Sequence, residues 1–191
     1  REKELEALRD ERERFVIFDE YPFWFNGAGV INKTRVGLWL YNSATGALTR
    51  ITPPLLGVEG AAVYPREGKV VFHGCLYETL QDFRTGIWSY DFPSGKLKKE
   101  VEQGIYRIRD VGWMKDRVVF AGSDMADYDY SQTPALWTVD PESGAVERLC
   151  PEALSIGNPV VTDARFGGGT VFKAEGDTLY LISGIEDSSR L

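Results

Sequence analysis

GLWLYNSATGAL (37–48), GIWSYDFPSGKL (86–97) and ALWTVDPESGAV (135–146) are the stretches that decide the fold of this chain. Each reads as an aromatic and aliphatic run, then Asn or Asp, then Thr or Ser followed by Gly, and then the start of a second run. A tryptophan occupies the third position of every segment, and successive tryptophans are 49 residues apart. One such segment would be weak support, but three in register indicate a structural repeat.

Each segment has the composition of a β-hairpin. The Asn or Asp side chain can accept backbone N–H bonds inside the turn, and the Gly supplies the positive φ that a tight reversal requires. We therefore expect hairpins near residues 37–52, 86–101 and 135–150. The first strand of these hairpins is apolar on both faces at several positions, which is typical of a strand buried between two neighbouring sheets.

Two further runs match each other upstream of the second and third hairpins. Residues 70–74 read VVFHG and residues 118–122 read VVFAG, and each follows a more variable strand that ends near Tyr64 or Trp113. Each repeat therefore contains four strands. Four short strands in a period near 49 residues are typical of a propeller blade. The sequence predicts an all-β fold, a partial β-propeller of roughly three to four blades with four antiparallel strands each.

The repeat also predicts how the chain is divided. Residues 1–14 are almost all charged and good helix formers, so we expect a short N-terminal helical arm. Residues 15–191 are expected to form the incomplete propeller. Within it, residues 15–18 resemble a second strand of the first unit, and residues 178–184 resemble the second strand of a truncated blade at 159–191. Both ends then fall inside blades, and the strand edges of such an open arc could pair with a second copy.

Composition excludes several classes of function. The net charge of −7 and a pI near 4.9 argue against a nucleic-acid partner or an anionic membrane surface, since both require a basic patch. No apolar run approaches the roughly 18 residues that a membrane-spanning helix needs. Cys75 and Cys150 are too few for a disulfide framework, although they could still pair, so we expect a reduced, cytoplasmic setting. Because the chain starts at Arg1, we also expect that a native N-terminal segment has been removed.

A family resemblance rests on FNGAGV (25–30), Arg35 and LWLYN (38–42). These residues resemble the early propeller of bacterial prolyl-oligopeptidase family serine peptidases, especially the acylaminoacyl-peptidase and dipeptidyl-peptidase-like branches. VYPREGK (63–69) resembles their recurring turn between strands, and the resemblance extends over most of the chain. It implies a propeller of about seven or eight blades that caps a separate α/β-hydrolase domain. Such a propeller filters oligopeptides before they reach a Ser-Asp-His triad.

The resemblance implies a non-catalytic segment that gates or positions peptides for the hydrolase domain of its parent chain. This chain itself lacks the G-x-S-x-G elbow of such hydrolases. Its single histidine, His73, lies on a predicted blade strand, so we expect no catalytic residue, no metal site and no cofactor here. The alternative function is a propeller that binds proteins or serves as a scaffold, with no peptidase partner. An independent small enzyme is disfavoured, because nothing assembles a nucleophile with a base.

Candidate substrate contacts lie mainly in SDMADYDY (123–130), a long insertion between two blade strands. In the resembling family, acidic propeller residues can bind the free amino terminus of a substrate, because a carboxylate pair complements an ammonium group. A plain solvated loop is the alternative. Trp24 belongs to an aromatic patch that could line a peptide channel or pack in the interior. The candidate residues are Asp124, Asp127, Tyr128, Asp129 and Trp24.

Overall fold

The computed structural model describes residues 16–64, 67–150, 155–156, 171–185 and 188–190. The charged arm predicted for the first fourteen residues lies outside these ranges, as does most of the stretch that leads into the fourth unit. Among the described residues, no helix is long and apolar enough to span a bilayer.

Nearly all the regular secondary structure in the described part of the chain is β-strand. They are β1 (Trp24–Phe25), β2 (Gly29–Val30), β3 (Trp39–Tyr41), β4 (Leu48–Arg50), β5 (Leu56–Tyr64), β6 (Lys69–Leu76), β7 (Thr85–Asp91), β8 (Lys96–Met114), β9 (Arg117–Ser123), β10 (Ala135–Val139), β11 (Val146–Arg148), β12 (Ser155–Ile156), β13 (Phe172–Glu175), β14 (Thr178–Leu181), β15 (Ser183–Ile185) and β16 (Ser188–Arg190). A single turn of 3-10 helix spans Asp129–Ser131.

Seven strands form one antiparallel sheet in the order β11-β10-β9-β8-β7-β6-β5. Strand β8 is long because it serves two blades, pairing with β7 as far as Tyr106 and with β9 from Arg107 onward. The second blade therefore consists of β5, β6, β7 and the start of β8. The third consists of the end of β8, β9, β10 and β11. The predicted all-β fold, a partial β-propeller, is confirmed. Strands β13 and β14 pair as the beginning of a fourth unit.

The hairpin turns form as the sequence chemistry requires. In the first, the Asn42 side-chain oxygen accepts N–H bonds from Ala44 and Thr45, at 3.0 and 3.1 Å. Asp91 and Asp140 act in the same way in the second and third hairpins. A glycine with φ between +66° and +72° follows in every turn. The repeated Asx and Gly positions are therefore explained by the turn alone.

The hydrophobic cores lie between blades. Alternate residues of β6 enter different cores: Val71 packs toward the third blade and Phe72 toward the first hairpin. Strand β9 does the same, with Phe120 facing the second blade and Val119 facing the fourth unit. This arrangement explains why the second strands read as unbroken apolar runs. The core between the second and third blades contains Val71, Ile87, Val101, Ile108, Val111, Trp113, Val118, Phe120 and Val139.

The first unit differs from the prediction in two ways. Residues 16–18 form no strand, and the side chains of Val16 and Ile17 are exposed. The first hairpin is also not buried on both faces, since Trp39 is 53% exposed whereas the equivalent Trp88 is 6% exposed. Among the described strands β3 and β4 pair only with each other, and no residue of either strand belongs to a core between the described units.

His73 is a buried residue of β6, only 3% exposed, and its Nδ1 atom has no hydrogen-bond partner among the described residues. Its Nε2 atom lies 2.6 Å from the position that a Cβ on Gly60 would occupy. Burial lowers the pKa of His73 from 6.5 to about 4. The imidazole is thus a neutral part of the blade packing.

We expect His73 to make stability depend on pH. Its folded-state pKa is lowered, so the unfolded chain takes up the proton more readily and stability falls as the pH decreases from 6.5 toward 4. The His73→Gln variant should lose this part of the pH dependence. Urea midpoints at pH 7 and pH 5 measure it for both proteins. An equal difference between the two pH values in both proteins would contradict the expectation.

Candidate functional site

One end of the described sheet carries most of the candidate binding residues, and we call it the loop face. It is formed by the loops at residues 77–84 and 124–134, because each joins the second to the third strand of its blade. The connection between the second and third blades also passes here. Gln103 ties it to the end of β6 by accepting the Leu76 N–H at 2.7 Å and donating to the Leu76 carbonyl at 3.2 Å. The three segments therefore form one surface.

Contacts among Arg107, Tyr130 and Phe83 link the two loops of this face. Arg107 donates from Nη1 to the Tyr130 carbonyl at 2.8 Å, and its guanidinium carbon lies 3.6 Å from the centroid of the Tyr130 ring. Phe83 of the second-blade loop meets the same ring edge-on, with the centroids 5.2 Å apart. Stacking and cation–π attraction hold these rings in place while much of each stays exposed.

The predicted acidic insertion is locally ordered by Gln132. Its Nε2 donates to Asp124 Oδ1 at 2.6 Å, and its Oε1 accepts the backbone N–H of Asp127 at 2.9 Å. The side chains of Asp127 and Asp129 point to solvent, and that of Tyr128 is 74% exposed. The loop is thus fixed by its backbone and presents free carboxylates and a free ring.

Trp24 lies in a different segment, which adjoins the loop face at Tyr21. It forms no aromatic pair with any described residue, but its segment is joined to the second-blade loop, since Tyr21 N–H donates to the Thr79 carbonyl at 2.7 Å and Gln81 N–H donates to the Tyr21 carbonyl at 3.0 Å. Trp24 and its aromatic neighbours are exposed rather than packed in the interior. The structure therefore joins the segment of Trp24 to the loop face through Tyr21, and it shows no aromatic contact between Trp24 and the acidic loop.

A buried ion pair anchors this aromatic segment. Glu20 accepts from Arg35 Nη2 at 2.5 Å, and the two side chains are 0% and 2% exposed. The Lys33 N–H donates to the same carboxylate, and the Arg35 guanidinium stacks on the Tyr77 ring at 3.7 Å. The Arg35 hydrogen bond, opposed by burial, holds the pKa of Glu20 below its usual value.

The first strands of the second and third blades carry a feature that the sequence analysis missed. Strand β5 bulges between Val58 and Gly60, and β8 bulges between Ile108 and Asp110. The two bulges lie at equivalent places, because Gly60 and Asp110 pair with equivalent residues of their second strands. The extra residues, exposed in both blades, are Glu59 and Arg109.

The surroundings of Glu59 are polar and crowded. Gln81 Nε2 donates to its Oε1 at 3.2 Å. Although the carboxylate is accessible, nearby atoms displace water and raise the pKa of Glu59, an effect that Gln81 and the charge of Arg107 oppose. In each blade the bulged first strand has one residue more than the segment of the second strand with which it pairs. This difference in length becomes visible only when the register between the two strands is known.

No protein-family model and no curated protein matches the chain. Similar solved structures include a protein assigned as TolB from Agrobacterium tumefaciens, with 18% identity and a TM-score of 0.45 over 63% of this chain and 43% of that one. TolB from Acinetobacter baumannii has 19% identity and a TM-score of 0.39 over 60% of this chain and 26% of that one. This chain matches less than half the length of either protein.

Proposed function

We propose that this chain is a non-catalytic propeller segment that positions peptides for the α/β-hydrolase domain of a serine peptidase. The observation that carries the proposal is the loop face, where exposed aromatic rings, a fixed guanidinium and free carboxylates lie together. The resemblance over residues 25–42 supports the proposal that the parent protein belongs to the prolyl-oligopeptidase family. The hydrolase domain of the same parent chain is the proposed partner.

The chemistry of this face suits peptides. Aromatic rings such as Tyr130 and Phe83 can bind apolar side chains with little entropy loss, because their own contacts already hold them in place. The solvated carboxylates of Asp127 and Asp129 can attract a peptide ammonium. None of these groups is a nucleophile paired with a base, so the face can orient a peptide but gives no means of cleaving it.

The proposal predicts a selective effect of Tyr130→Ala in the full-length protein. We expect KM for peptide substrates to rise about fivefold, the equivalent of losing one ring contact. Turnover of a small chromogenic ester, which does not reach the propeller, should stay unchanged. Tyr41→Ala is the matched control, because Tyr41 is similarly exposed on the first hairpin.

Labelling the full-length protein with a fluorophosphonate tests the peptidase partner directly. A labelled serine in a G-x-S-x-G elbow supports the proposal. Absence of labelling would overturn it and favour the scaffold function, for which the exposed outer face of β3 offers a surface. Equal effects of Tyr130→Ala and Tyr41→Ala on KM would exclude a role for the loop face in peptide binding.

A further inference from the structure

The turn between β1 and β2 is formed by Asn26, Gly27 and Ala28, and all three residues are exposed. Ala28 N–H donates to the Phe25 carbonyl at 3.2 Å. Gly27 has a φ of +82°, and a Cβ there would meet no atom within 4 Å. Among the residues that the structure describes, neither the Asn26 side chain nor the Gly27 N–H takes part in a hydrogen bond. The side-chain amide and the backbone nitrogen that follows it are therefore both free to react.

The described part of the chain contains two other asparagines, and each has one of these two groups occupied. The Asn42 side-chain oxygen accepts the backbone N–H bonds of its own turn. Asn32 is followed by Lys33, whose N–H donates to the buried Glu20 carboxylate at 2.5 Å. Both asparagines also precede a residue with a side chain, Lys33 or Ser43, which hinders approach to the backbone nitrogen. Only the turn of β1 and β2 leaves both groups free among the described asparagines.

The hairpin of β1 and β2 can also open at little cost. Its strands are two residues long and, among the described strands, they pair only with each other. An isolated two-stranded hairpin is marginally stable in water, and such segments open locally without unfolding of the core. Opening releases the backbone of the turn, so that the Gly27 nitrogen can reach Cγ of Asn26.

We propose that Asn26 is a site of spontaneous deamidation. The Gly27 backbone nitrogen gives up its proton to the solvent and attacks Cγ of Asn26. A bond forms between these two atoms, the bond from Cγ to Nδ2 breaks, and Nδ2 leaves as ammonia. Water then opens the resulting cyclic succinimide at either of its carbonyl groups. The net reaction consumes water, releases ammonia and leaves aspartate or isoaspartate at this position, with no change of oxidation state.

The modification would change the segment that adjoins the loop face, and it goes beyond the proposed function. Either product adds a negative charge at the tip of the hairpin that carries the exposed rings of Trp24 and Phe25. Isoaspartate also lengthens the main chain of the turn, so the pairing of Phe25 with Gly29 could not be kept in its present register. The reaction therefore acts as a slow, irreversible change in the charge and order of this hairpin.

A time course of the full-length protein at mildly alkaline pH tests the proposal. Samples are digested, and fragmentation mass spectra assign the gain in mass of each asparagine that becomes an acid. We expect Asn26 to react at least about tenfold faster than Asn32 and Asn42, because each of these must first break a hydrogen bond. Aspartate and isoaspartate should appear as separate peptides of equal mass. A rate at Asn26 no higher than at the other two would overturn the proposal.

The same time course in urea separates the effect of the fold from that of the sequence. Unfolding should accelerate Asn32 and Asn42 and leave the rate at Asn26 nearly unchanged. If Asn26 accelerated as much as Asn42, the folded turn would protect it and the proposal would be wrong.

A pair of glycine variants tests the identity of the nucleophile. Gly27→Ala should slow the reaction at Asn26, because the added methyl group hinders the attacking nitrogen. Gly46→Ala is the matched control: Gly46 also has a positive φ in an exposed hairpin turn, with no atom within 4 Å of an added Cβ. It should leave the rate at Asn26 unchanged. Equal rates at Asn26 in the two variants would contradict attack by the Gly27 nitrogen.

Discussion

Gly74→Ala should destabilise the protein by about 3 kcal/mol or more, because overpacking against backbone cannot be relieved by a rotamer change. A Cβ on Gly74 would stand 2.1 Å from the carbonyl oxygen of Gly57 and 3.1 Å from Cα of Val58. The bulge of β5 brings this backbone close to β6. The substitution must therefore separate the two strands. Urea unfolding followed by tryptophan fluorescence measures the loss.

Gly37→Ala is the matched control. Its added Cβ also meets atoms within 3 Å, but these are side-chain atoms of Arg50 and Thr52 rather than backbone atoms. The Arg50 guanidinium can move aside, while Thr52 Oγ1 can shift only by weakening its bond with the Leu38 N–H, so we expect a smaller loss of about 1 kcal/mol. If the two variants lost similar amounts of stability, the close backbone approach at the bulge would not be the cause.

The repeated glycine shows how much the sequence could predict. Gly74 and Gly122 occupy the same place in the VVFHG and VVFAG runs, and this match was enough to align the second strands of two blades. The hairpin turns could be predicted because they depend on local chemistry alone, an Asx side chain and a glycine with positive φ. The fold follows from such local signals repeated at one period.

The loop face could be predicted only in part. The acidic residues between β9 and β10 are conspicuous in the sequence. Arg107 and Phe83 could be identified as residues of this face only from their contacts with Tyr130. The bulge at Glu59 depends on the register between β5 and β6, which composition does not encode. The prediction of a strand at residues 15–18 was wrong for the part that the structure describes, since residues 16–18 form no strand although they are apolar.

Arg35→Met is expected to destabilise the protein by about 3–5 kcal/mol, the usual cost of leaving one buried charge without its partner. Glu20, whose side chain is fully buried, would keep only the Lys33 N–H as a donor. Adding Glu20→Gln to Arg35→Met should recover part of the loss, because a neutral amide needs no cation. Lys33→Met is the control: the Lys33 pair with Asp19 is solvent-accessible, so its loss should cost far less than the loss of the buried pair.

In Arg35→Met, the contribution of Glu20 to the pH dependence of stability should change sign. This change distinguishes an electrostatic role of Arg35 from a packing role. In the wild type the pKa of Glu20 is lowered, so its contribution is complete above the ordinary value of 4.5 and is lost as the pH falls through the folded-state pKa. Without Arg35, burial would raise the pKa of Glu20, and stability would instead decrease as the pH rises above 4.5. The urea midpoint of each protein is measured at pH 5 and pH 7. If the midpoint of Arg35→Met rose as steeply as that of the wild type, Glu20 would not depend on Arg35 for its charge.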